Sequence, residues 1–242
     1  MTRIADNIGT VRQRIAQACL AAGRPVRSVT LLCVSKTARA AALREAYEAG
    51  ECHFGENYAQ EGCAKIDALA DLRSHMTWHM IGPLQANKTR SIAEHFDWVH
   101  TIDRIKVARR LSEQRPAGRE PLQVCLQVNI GAQPSKSGVA PGEVAALARS
   151  VRQLPGLRLR GLMAIAQALP DLAAQRTPHR ALRELWEGLN AQGLALDTLS
   201  MGMTADLEAA ILEGATLIRV GTAIFGEREQ AHPSPRPDAD PG

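Results

Sequence analysis

Lys36 is the residue of this sequence with the clearest chemical potential. It comes directly after an apolar run, residues 29–35, where a buried strand would end and a loop would begin. An ordinary exposed lysine is almost fully protonated at neutral pH, and burial beside apolar groups restores the nucleophilic amine. We therefore expect Lys36 to lie against apolar neighbours, where its amine could form a Schiff base with an aldehyde. Position alone is equally consistent with a surface lysine that opens the next helix.

Two segments near the C-terminus have the composition of a phosphate-binding cup. Ser200 and Gly202 follow the seventh apolar run of the chain, and Gly221 and Thr222 follow the eighth. Barrel proteins often bind phosphate at this place, through backbone N–H groups and the start of a short helix, which residues 223–225 could supply. The glycines would let the backbone approach closely, while Ser200 and Thr222 add hydroxyl donors. Two ordinary turns that contain glycine are the alternative.

Arg219 lies inside the eighth apolar run, two residues before Gly221. A buried guanidinium is costly unless its charge is satisfied, and a buried carboxylate is the plain explanation. The sharper one is contact with the pyridine nitrogen of a cofactor, a role known for arginine and aspartate. Because arginine stays protonated, it would leave that nitrogen unprotonated and the ring a weak electron sink. Such a site favours mild chemistry.

The elements that would position these residues are short apolar runs that alternate with helical stretches. Eight runs separated by seven stretches of three- and four-residue apolar spacing predict parallel βα units, which in one chain of this length close into a (β/α)₈ TIM barrel. An open doubly wound sheet is the alternative. The runs are 29–35, 52–55, 77–82, 98–102, 122–130, 158–165, 198–201 and 217–221.

The segments outside this repeat are also predictable. An extra N-terminal helix, residues 3–21, ends at Gly23-Arg24-Pro25 and is expected to pack outside the barrel. Residues 167–178 are expected to form a long loop after the sixth strand. One domain should cover residues 1–230, and the proline-rich segment 231–242 is expected to be a disordered tail. With no apolar run of membrane-spanning length and no signal-peptide pattern, we predict a cytoplasmic protein that does not enter a membrane.

Composition argues against several other classes of protein. The five cysteines are odd in number and include no Cys-x-x-Cys, which disfavours a disulfide framework and a zinc site. His75 and His79 are four apart but fall around a strand, so we predict no metal site. The net charge of +4 is modest, and the arginines are scattered without interleaved aromatics. That pattern is typical of solvated helix faces and disfavours nucleic-acid binding.

Seven motifs, in order along the chain, resemble the pyridoxal phosphate homeostasis protein family (the YggS/PROSC group), whose barrel is related to the N-terminal domain of alanine racemase. Together they span residues 34–226, so the resemblance covers nearly the whole chain. One such motif would be weak, whereas the ordered set is specific. The motifs are Val34-Ser35-Lys36-Thr37, Phe54-Gly55-Glu56-Asn57-Tyr58, residues 78–88, Ser135-Lys136-Ser137-Gly138, Gly161-Leu162-Met163, Ser200-Met201-Gly202-Met203 and residues 219–226.

The resemblance implies a barrel that binds pyridoxal 5′-phosphate (PLP) as a Schiff base, an internal aldimine, on Lys36. It implies Arg219 near the pyridine nitrogen, a phosphate cup of Ser200, Gly221 and Thr222, and Asn57 and His79 lining the ring. The implied function is vitamin B6 homeostasis without established catalysis: a monomeric carrier that could pass PLP to apo PLP-dependent enzymes. A PLP-dependent amino-acid racemase is the main alternative, and a cofactor-free Schiff-base lyase is a weaker one.

This chain departs from the family pattern in two places. Ala38-Arg39 follow the lysine motif where the family often has a Lys-Pro pair, and Thr204 replaces a frequent serine. The first change puts a second basic residue near the cofactor in doubt, although Arg39 could substitute in part. The second keeps a hydroxyl group. Lys136 is a candidate secondary contact, but a solvated loop lysine is the plainer interpretation.

Overall fold

The computed structural model describes residues 2–131, 137–167 and 169–226. Eight parallel strands form a closed barrel in the order of the chain. The register Thr30–Leu217 to Cys33–Val220 joins the first strand to the eighth, which excludes the open sheet. The strands are β1 (Thr30–Val34), β2 (His53–Glu56), β3 (Thr77–Met80), β4 (Trp98–Ile102), β5 (Leu122–Gln127), β6 (Leu157–Met163), β7 (Thr198–Ser200) and β8 (Leu217–Val220).

Helices follow the strands and surround the barrel, as the apolar spacing predicts. Short 3-10 turns occur at Val26–Ser28, Ala70–Leu72 and Pro141–Glu143. The helices are α1 (Arg3–Ala21), α2 (Ala40–Glu48), α3 (Ala59–Ala68), α4 (Thr89–His95), α5 (Ile105–Gln114), α6 (Val144–Arg152), α7 (Leu172–Ala191), α8 (Leu207–Leu212) and α9 (Thr222–Phe225). Among the described residues, no helix has the length and apolar character that crossing a membrane requires.

Helix α1 is the predicted addition to the barrel, with the predicted bounds. Its apolar residues Ile8, Val11 and Ile15 recur at three- and four-residue spacing and are buried, and the helix packs against α8, α9 and α2. Thr2 caps its first turn by accepting a hydrogen bond from Ala5 N. Arg14 pairs with Glu208 of α8 at 2.8 Å, which ties the helix to the end of the barrel sequence.

The loop predicted for residues 167–178 is wrong over its second half. Helix α7 begins at Leu172, where Asp171 caps it by accepting a hydrogen bond from Ala174 N. Pro178 therefore lies inside a helix, although a proline removes a backbone donor and normally ends the helical pattern. Burial of Leu182 and Leu189 farther along the helix supplies apolar packing that tolerates this cost. The predicted tail, 231–242, lies outside the described residues.

Polar side chains from β3, β4, β7 and β8 lie inside the barrel. His79 and His100 are fully buried although they stand in the middle of β3 and β4, with Ser200 at the end of β7 and Arg219 in β8. The packed core lies mainly between the strands and the helices, with residues such as Leu43, Phe96 and Leu111 fully buried there. Because side chains alternate along a strand, each polar residue points inward while its neighbours face the helices. The polar side of the barrel leads to the strand ends where the candidate site lies.

Candidate functional site

Lys36 stands at the C-terminal end of the barrel, in a tight turn directly after β1. Ala38 N donates to Ser35 O at 2.9 Å and closes the turn. Thr37 has a φ of 66°, the left-handed region that a β-branched residue rarely adopts. Such a conformation costs on the order of 1–3 kcal/mol and persists where surrounding contacts impose it. The Lys36 side chain is exposed, so the expected burial against apolar neighbours is wrong for this structure.

A buried ionic cluster behind the turn imposes its shape. Lys65 of α3 donates through Nζ to Ser35 O at 2.6 Å, to Glu56 Oε1 at 2.8 Å and to Glu61 Oε1 at 2.7 Å. Thr37 N donates to the same Glu61 oxygen at 2.6 Å. Both backbone groups that flank Lys36 are thereby fixed by charged side chains. The cluster holds the strained turn, and with it the lysine, at the barrel rim.

Glu56 is the most buried member of this cluster, with no exposed surface. Its Oε1 accepts from Ser35 Oγ at 2.6 Å as well as from Lys65. Burial raises the pKa of Glu56, and the Lys65 charge opposes that rise. Within the described part of the chain, its Oε2 has no hydrogen-bond partner. The carboxylate therefore depends on Lys65 for its charge compensation.

Ser200 and Arg219 meet at the opposite side of the same barrel end. Arg219 donates through Nη1 to Ser200 O at 2.6 Å and to Ser200 Oγ at 2.8 Å, and through Nη2 to Ala164 O at 2.8 Å. Among the described residues, Arg219 Nε donates no hydrogen bond. Two backbone carbonyls and a hydroxyl thus accept from three of the five N–H groups of the guanidinium, which leaves Nε–H and one Nη2–H.

No carboxylate pairs with Arg219 within the described part of the chain, so the plain explanation of a buried ion pair does not apply. Burial lowers the pKa of Arg219 to about 10, partly opposed by the charge of Asp206. The side chain therefore remains a cation at neutral pH. It is a donor that cannot accept a proton.

Three histidines extend from Ser200 through the barrel interior, in a chain we call the histidine chain (His100, His79 and His53). His100 Nδ1 lies 2.8 Å from Ser200 Oγ. His100 Nε2 lies 2.9 Å from His79 Nδ1, and His79 Nε2 lies 3.0 Å from His53 Nδ1. His53 begins β2, so the chain runs from the rim at Ser200 to the N-terminal end of the barrel.

The histidines of this chain are neutral. Burial lowers the pKa of His100 to about 3, and the Arg219 charge adds to the effect. Burial also holds the pKa of His79 well below its ordinary value, with smaller contributions from His100 and His53. The pKa of half-buried His53 is lowered by burial too, although Glu51 opposes the shift. Each ring therefore carries one proton, on one of its two nitrogens.

The glycines of the predicted phosphate cup are required by packing within the protein. Gly202 has a φ of 89°, and a Cβ there would lie 2.5 Å from Ala210 Cβ. At Gly221 a Cβ would lie 3.0 Å from Val34 O of β1. Neighbouring elements therefore leave little room for a side chain at either position, and approach of a ligand to these glycines stays a prediction. Exposed Thr222 begins α9, the short helix expected after β8.

The segment after β7 is held from behind by a buried pair. Asp206 accepts from Met203 N at 2.7 Å through Oδ1, while its Oδ2 lies 2.9 Å from His179 Nε2 of α7. The hydrogen bonds from His179 and Met203 lower the pKa of Asp206 against the opposing effect of burial. The Asp206 carboxylate thereby fixes the loop that begins at Gly202.

The remaining predicted site residues fall in two groups. Asn57 follows β2 at the rim, half-buried, and its backbone is so close to Gly82 that a Cβ there would lie 1.9 Å from Asn57 O. His79, in contrast, has no exposed surface and meets Ser200 only through His100. The expectation that it lines a bound ring stays a prediction. Lys136 lies outside the described residues.

His79 lies in the barrel interior. The other predicted site residues lie at the strand ends: Lys36, Asn57, Ser200, Gly202, Arg219, Gly221 and Thr222. Residues missed from the sequence are His100, Glu56, Glu61 and Lys65. The sequence carried a signal for His100, because it stands two residues after Trp98 in β4 and so shares the face of Trp98. Among the described residues, no group of three or more His, Cys, Asp or Glu side chains could hold a metal ion, and the five cysteines are free.

Comparison with known proteins decides the family. The profile of the alanine racemase N-terminal domain family matches residues 2–229. A Pseudomonas aeruginosa protein named pyridoxal phosphate homeostasis protein is 58% identical over 234 residues, which are 97% of this chain and 100% of the relative. The chain belongs to the pyridoxal phosphate homeostasis protein family.

Solved structures agree with this family and show its wider fold. PipY of Synechococcus elongatus PCC7942, solved with PLP bound, is 40% identical with a TM-score of 0.80, covering 92% of this chain and 100% of PipY. Alanine racemase from Corynebacterium glutamicum has a TM-score of 0.64 at 17% identity, covering 95% of this chain and 61% of the racemase. The second likeness shows that the barrel is of the alanine racemase kind.

Proposed function

We propose that this protein binds PLP at the barrel rim, holds it covalently on Lys36 and serves vitamin B6 homeostasis as a cytoplasmic, monomeric carrier for apo PLP-dependent enzymes. The observation that carries the proposal is the PLP-bound PipY structure, which matches this chain over 92% of its length at 40% identity. The name of the 58% identical relative supports the homeostasis role.

The donor set at the rim fits PLP, which supplies an aldehyde for a lysine amine, a pyridine ring and a phosphate. Lys36 offers an accessible amine on a fixed turn. Arg219 would donate its Nε–H to the pyridine nitrogen, and its charge would favour the unprotonated form of that nitrogen. Ser200, with the backbone at Gly202 and Gly221 and the hydroxyl of Thr222, would receive the phosphate, and Asn57 would lie beside the ring. His79 would act on this site only through His100 and Ser200.

We expect Ser200→Ala to weaken binding of PLP and to leave the binding of unphosphorylated pyridoxal nearly unchanged. A hydroxyl bond to a charged phosphate contributes about 1.5 kcal/mol or more, roughly a tenfold change in Kd. The substitution keeps the main-chain carbonyl that Arg219 Nη1 also binds at 2.6 Å, so the guanidinium retains an anchor. Titration of both ligands into both proteins measures the effect. Equal weakening of the two ligands would place Ser200 away from the phosphate.

The racemase alternative is tested by hydrogen exchange. Racemisation needs an acid–base group on each face of the substrate α-carbon. Lys36 could serve one face, while Tyr58, one of two tyrosines in the chain, is 62% exposed beyond β2, and its hydroxyl makes no hydrogen bond among the described residues. We therefore expect the PLP-loaded protein to reactivate an apoenzyme and to leave the α-proton of L- and D-alanine unexchanged in D₂O. Exchange with inversion that disappears in Lys36→Ala would restore the racemase.

A further inference from the structure

We propose that the histidine chain fixes the direction in which Ser200 donates its proton, and that a phosphate group bound at Ser200 reverses every hydrogen bond from Ser200 to His53. The inference rests on the proposed binding of the PLP phosphate at Ser200. It assigns His100 as a positioning residue for that hydroxyl and makes His53, at the far end of the barrel, a reporter of phosphate occupancy.

The contacts of Ser200 leave one assignment for the ligand-free protein. Its buried hydroxyl has two partners, Arg219 Nη1 at 2.8 Å and His100 Nδ1 at 2.8 Å. A guanidinium only donates, so His100 Nδ1 is the acceptor that this pair offers to the hydroxyl proton. His100 must then carry its proton on Nε2. A buried hydroxyl without an acceptor would cost about 1–3 kcal/mol, which sets the strength of this preference.

The position of the His100 proton determines the tautomers of the other two histidines. His100 Nε2–H donates to His79 Nδ1 at 2.9 Å, so His79 carries its proton on Nε2. His79 Nε2–H in turn donates to His53 Nδ1 at 3.0 Å, so His53 also carries its proton on Nε2. Because each neutral ring has one proton, no single histidine can change its tautomer without leaving two donors or two acceptors face to face. The three rings are coupled.

A phosphate oxygen at Ser200 reverses this order. The phosphate oxygen is an acceptor only. The Ser200 hydroxyl therefore donates to it and no longer donates to His100 Nδ1. Ser200 Oγ can then accept from His100 Nδ1–H, His100 Nε2 from His79 Nδ1–H, and His79 Nε2 from His53 Nδ1–H. The protons balance, because one enters at Ser200 from the rim and one leaves His53 Nε2. His53 is half-buried, and among the described residues its Nε2 is in no hydrogen bond, so that proton has a way out.

The groups that face the histidine chain favour neutral rings at His100 and His79, whichever way the hydrogen bonds run. His79 stacks on Trp98 with ring centroids 5.4 Å apart, and Arg160 covers the Trp98 ring at 5.0 Å. At the rim the nearest charge is that of Arg219, which opposes protonation of His100. At the far end Glu51, Arg12 and Asp97 act on His53 with opposing signs. Among the described residues, no carboxylate is hydrogen-bonded to His100 or His79, so tautomer change is the response available to these two buried rings.

The test is ¹⁵N NMR of the protein with labelled histidine, in which protonated and bare ring nitrogens give well-separated signals. We expect Nε2–H tautomers at His53, His79 and His100 in the ligand-free protein. On addition of PLP, or of inorganic phosphate at saturation, the Nδ1 and Nε2 signals of all three rings should exchange places. Pyridoxal should leave them unchanged. His75 and His95, outside the chain, serve as internal references, and single His→Gln variants assign the signals.

The outcomes separate this inference from the proposed function. Unchanged tautomers in a protein that binds PLP on Lys36 and needs Ser200 for tight binding would overturn the reversal and leave the function standing. A ligand-free protein with Nδ1–H tautomers would overturn the assignment directly. Failure of PLP to bind would overturn the proposed function and the reversal with it. In Ser200→Ala, PLP should no longer exchange the signals, and an exchange there would show that Ser200 is not the coupling group.

Discussion

Borohydride reduction of the PLP-loaded protein is expected to leave the cofactor on one residue, Lys36. The chain holds five lysines, at 36, 65, 88, 106 and 136, so the modified peptide can be assigned by mass spectrometry without ambiguity. Lys65 is buried and makes three hydrogen bonds, which removes it as a competitor. Lys36→Ala should abolish the labelled peptide, together with any visible absorbance that depends on it.

The matched control is Lys106→Ala, which removes an exposed lysine at the start of α5. We expect this variant to be labelled on Lys36 like the unaltered protein, because the Lys36 turn and its supports are untouched. Label found mainly on Lys88, Lys106 or Lys136 in the unaltered protein would contradict the assignment of Lys36.

Lys36 is distinguished by the rigidity of its turn and not by burial, because its amine is exposed. Because Lys36 is exposed, its proposed role depends on placement beside the donors at the other strand ends. Thr37 at φ 66° and the contacts of Lys65 and Glu61 with the turn provide that placement. An accessible amine also suits a carrier, since the acceptor of the cofactor must reach it.

The sequence predicted the fold well because the apolar periods are strong. Each of the eight strands lies within its predicted run or is shifted by one residue, and α1 has the predicted ends, because the apolar pattern of each element can be read within its own residues. The predicted loop before Pro178 failed, since a helix can carry a proline when the rest of its length is well packed. Tertiary packing of α7 thus outweighed the local preference of proline for a helix end.

The site was predictable to the extent that position along a strand decides it. Lys36, Ser200 and Arg219 were expected at one end of the barrel and lie there, because parallel strands bring their C-terminal ends together. His79 was expected beside the ring from the family resemblance alone, and it lies in the barrel interior between His100 and His53. Lys65 was not found, since a lysine on an amphipathic helix is usually solvated, and nothing local shows that it reaches the carboxylate at the end of β2.

Lys65→Met is expected to destabilise the protein by about 3–5 kcal/mol, the cost of leaving one partner of a buried ion pair uncompensated. Glu56 would lose its cation while remaining fully buried, with Oε2 already unpartnered. Burial raises the pKa of Glu56 even in the presence of Lys65, so the substitution should raise it further. A carboxyl whose folded pKa lies above its unfolded pKa favours folding at low pH and loses that contribution as pH rises. The difference in urea-unfolding free energy between variant and parent should therefore be larger at pH 8 than at pH 5.

Two further variants isolate the charge from the loss of the side chain. Adding Glu56→Gln to Lys65→Met removes the uncompensated charge and keeps an acceptor for Ser35 Oγ, so it should recover part of the stability and flatten the pH dependence. Lys106→Met, on the exposed face of α5, should change stability by no more than about 0.5 kcal/mol. Because Lys65 also binds Ser35 O, the double variant should stay slower than the parent in attaching PLP at Lys36 even where its stability returns. A Lys65→Met protein as stable as the Lys106→Met control at pH 8 would mean that Glu56 is already neutral in the parent, and that the turn is held by backbone contacts alone.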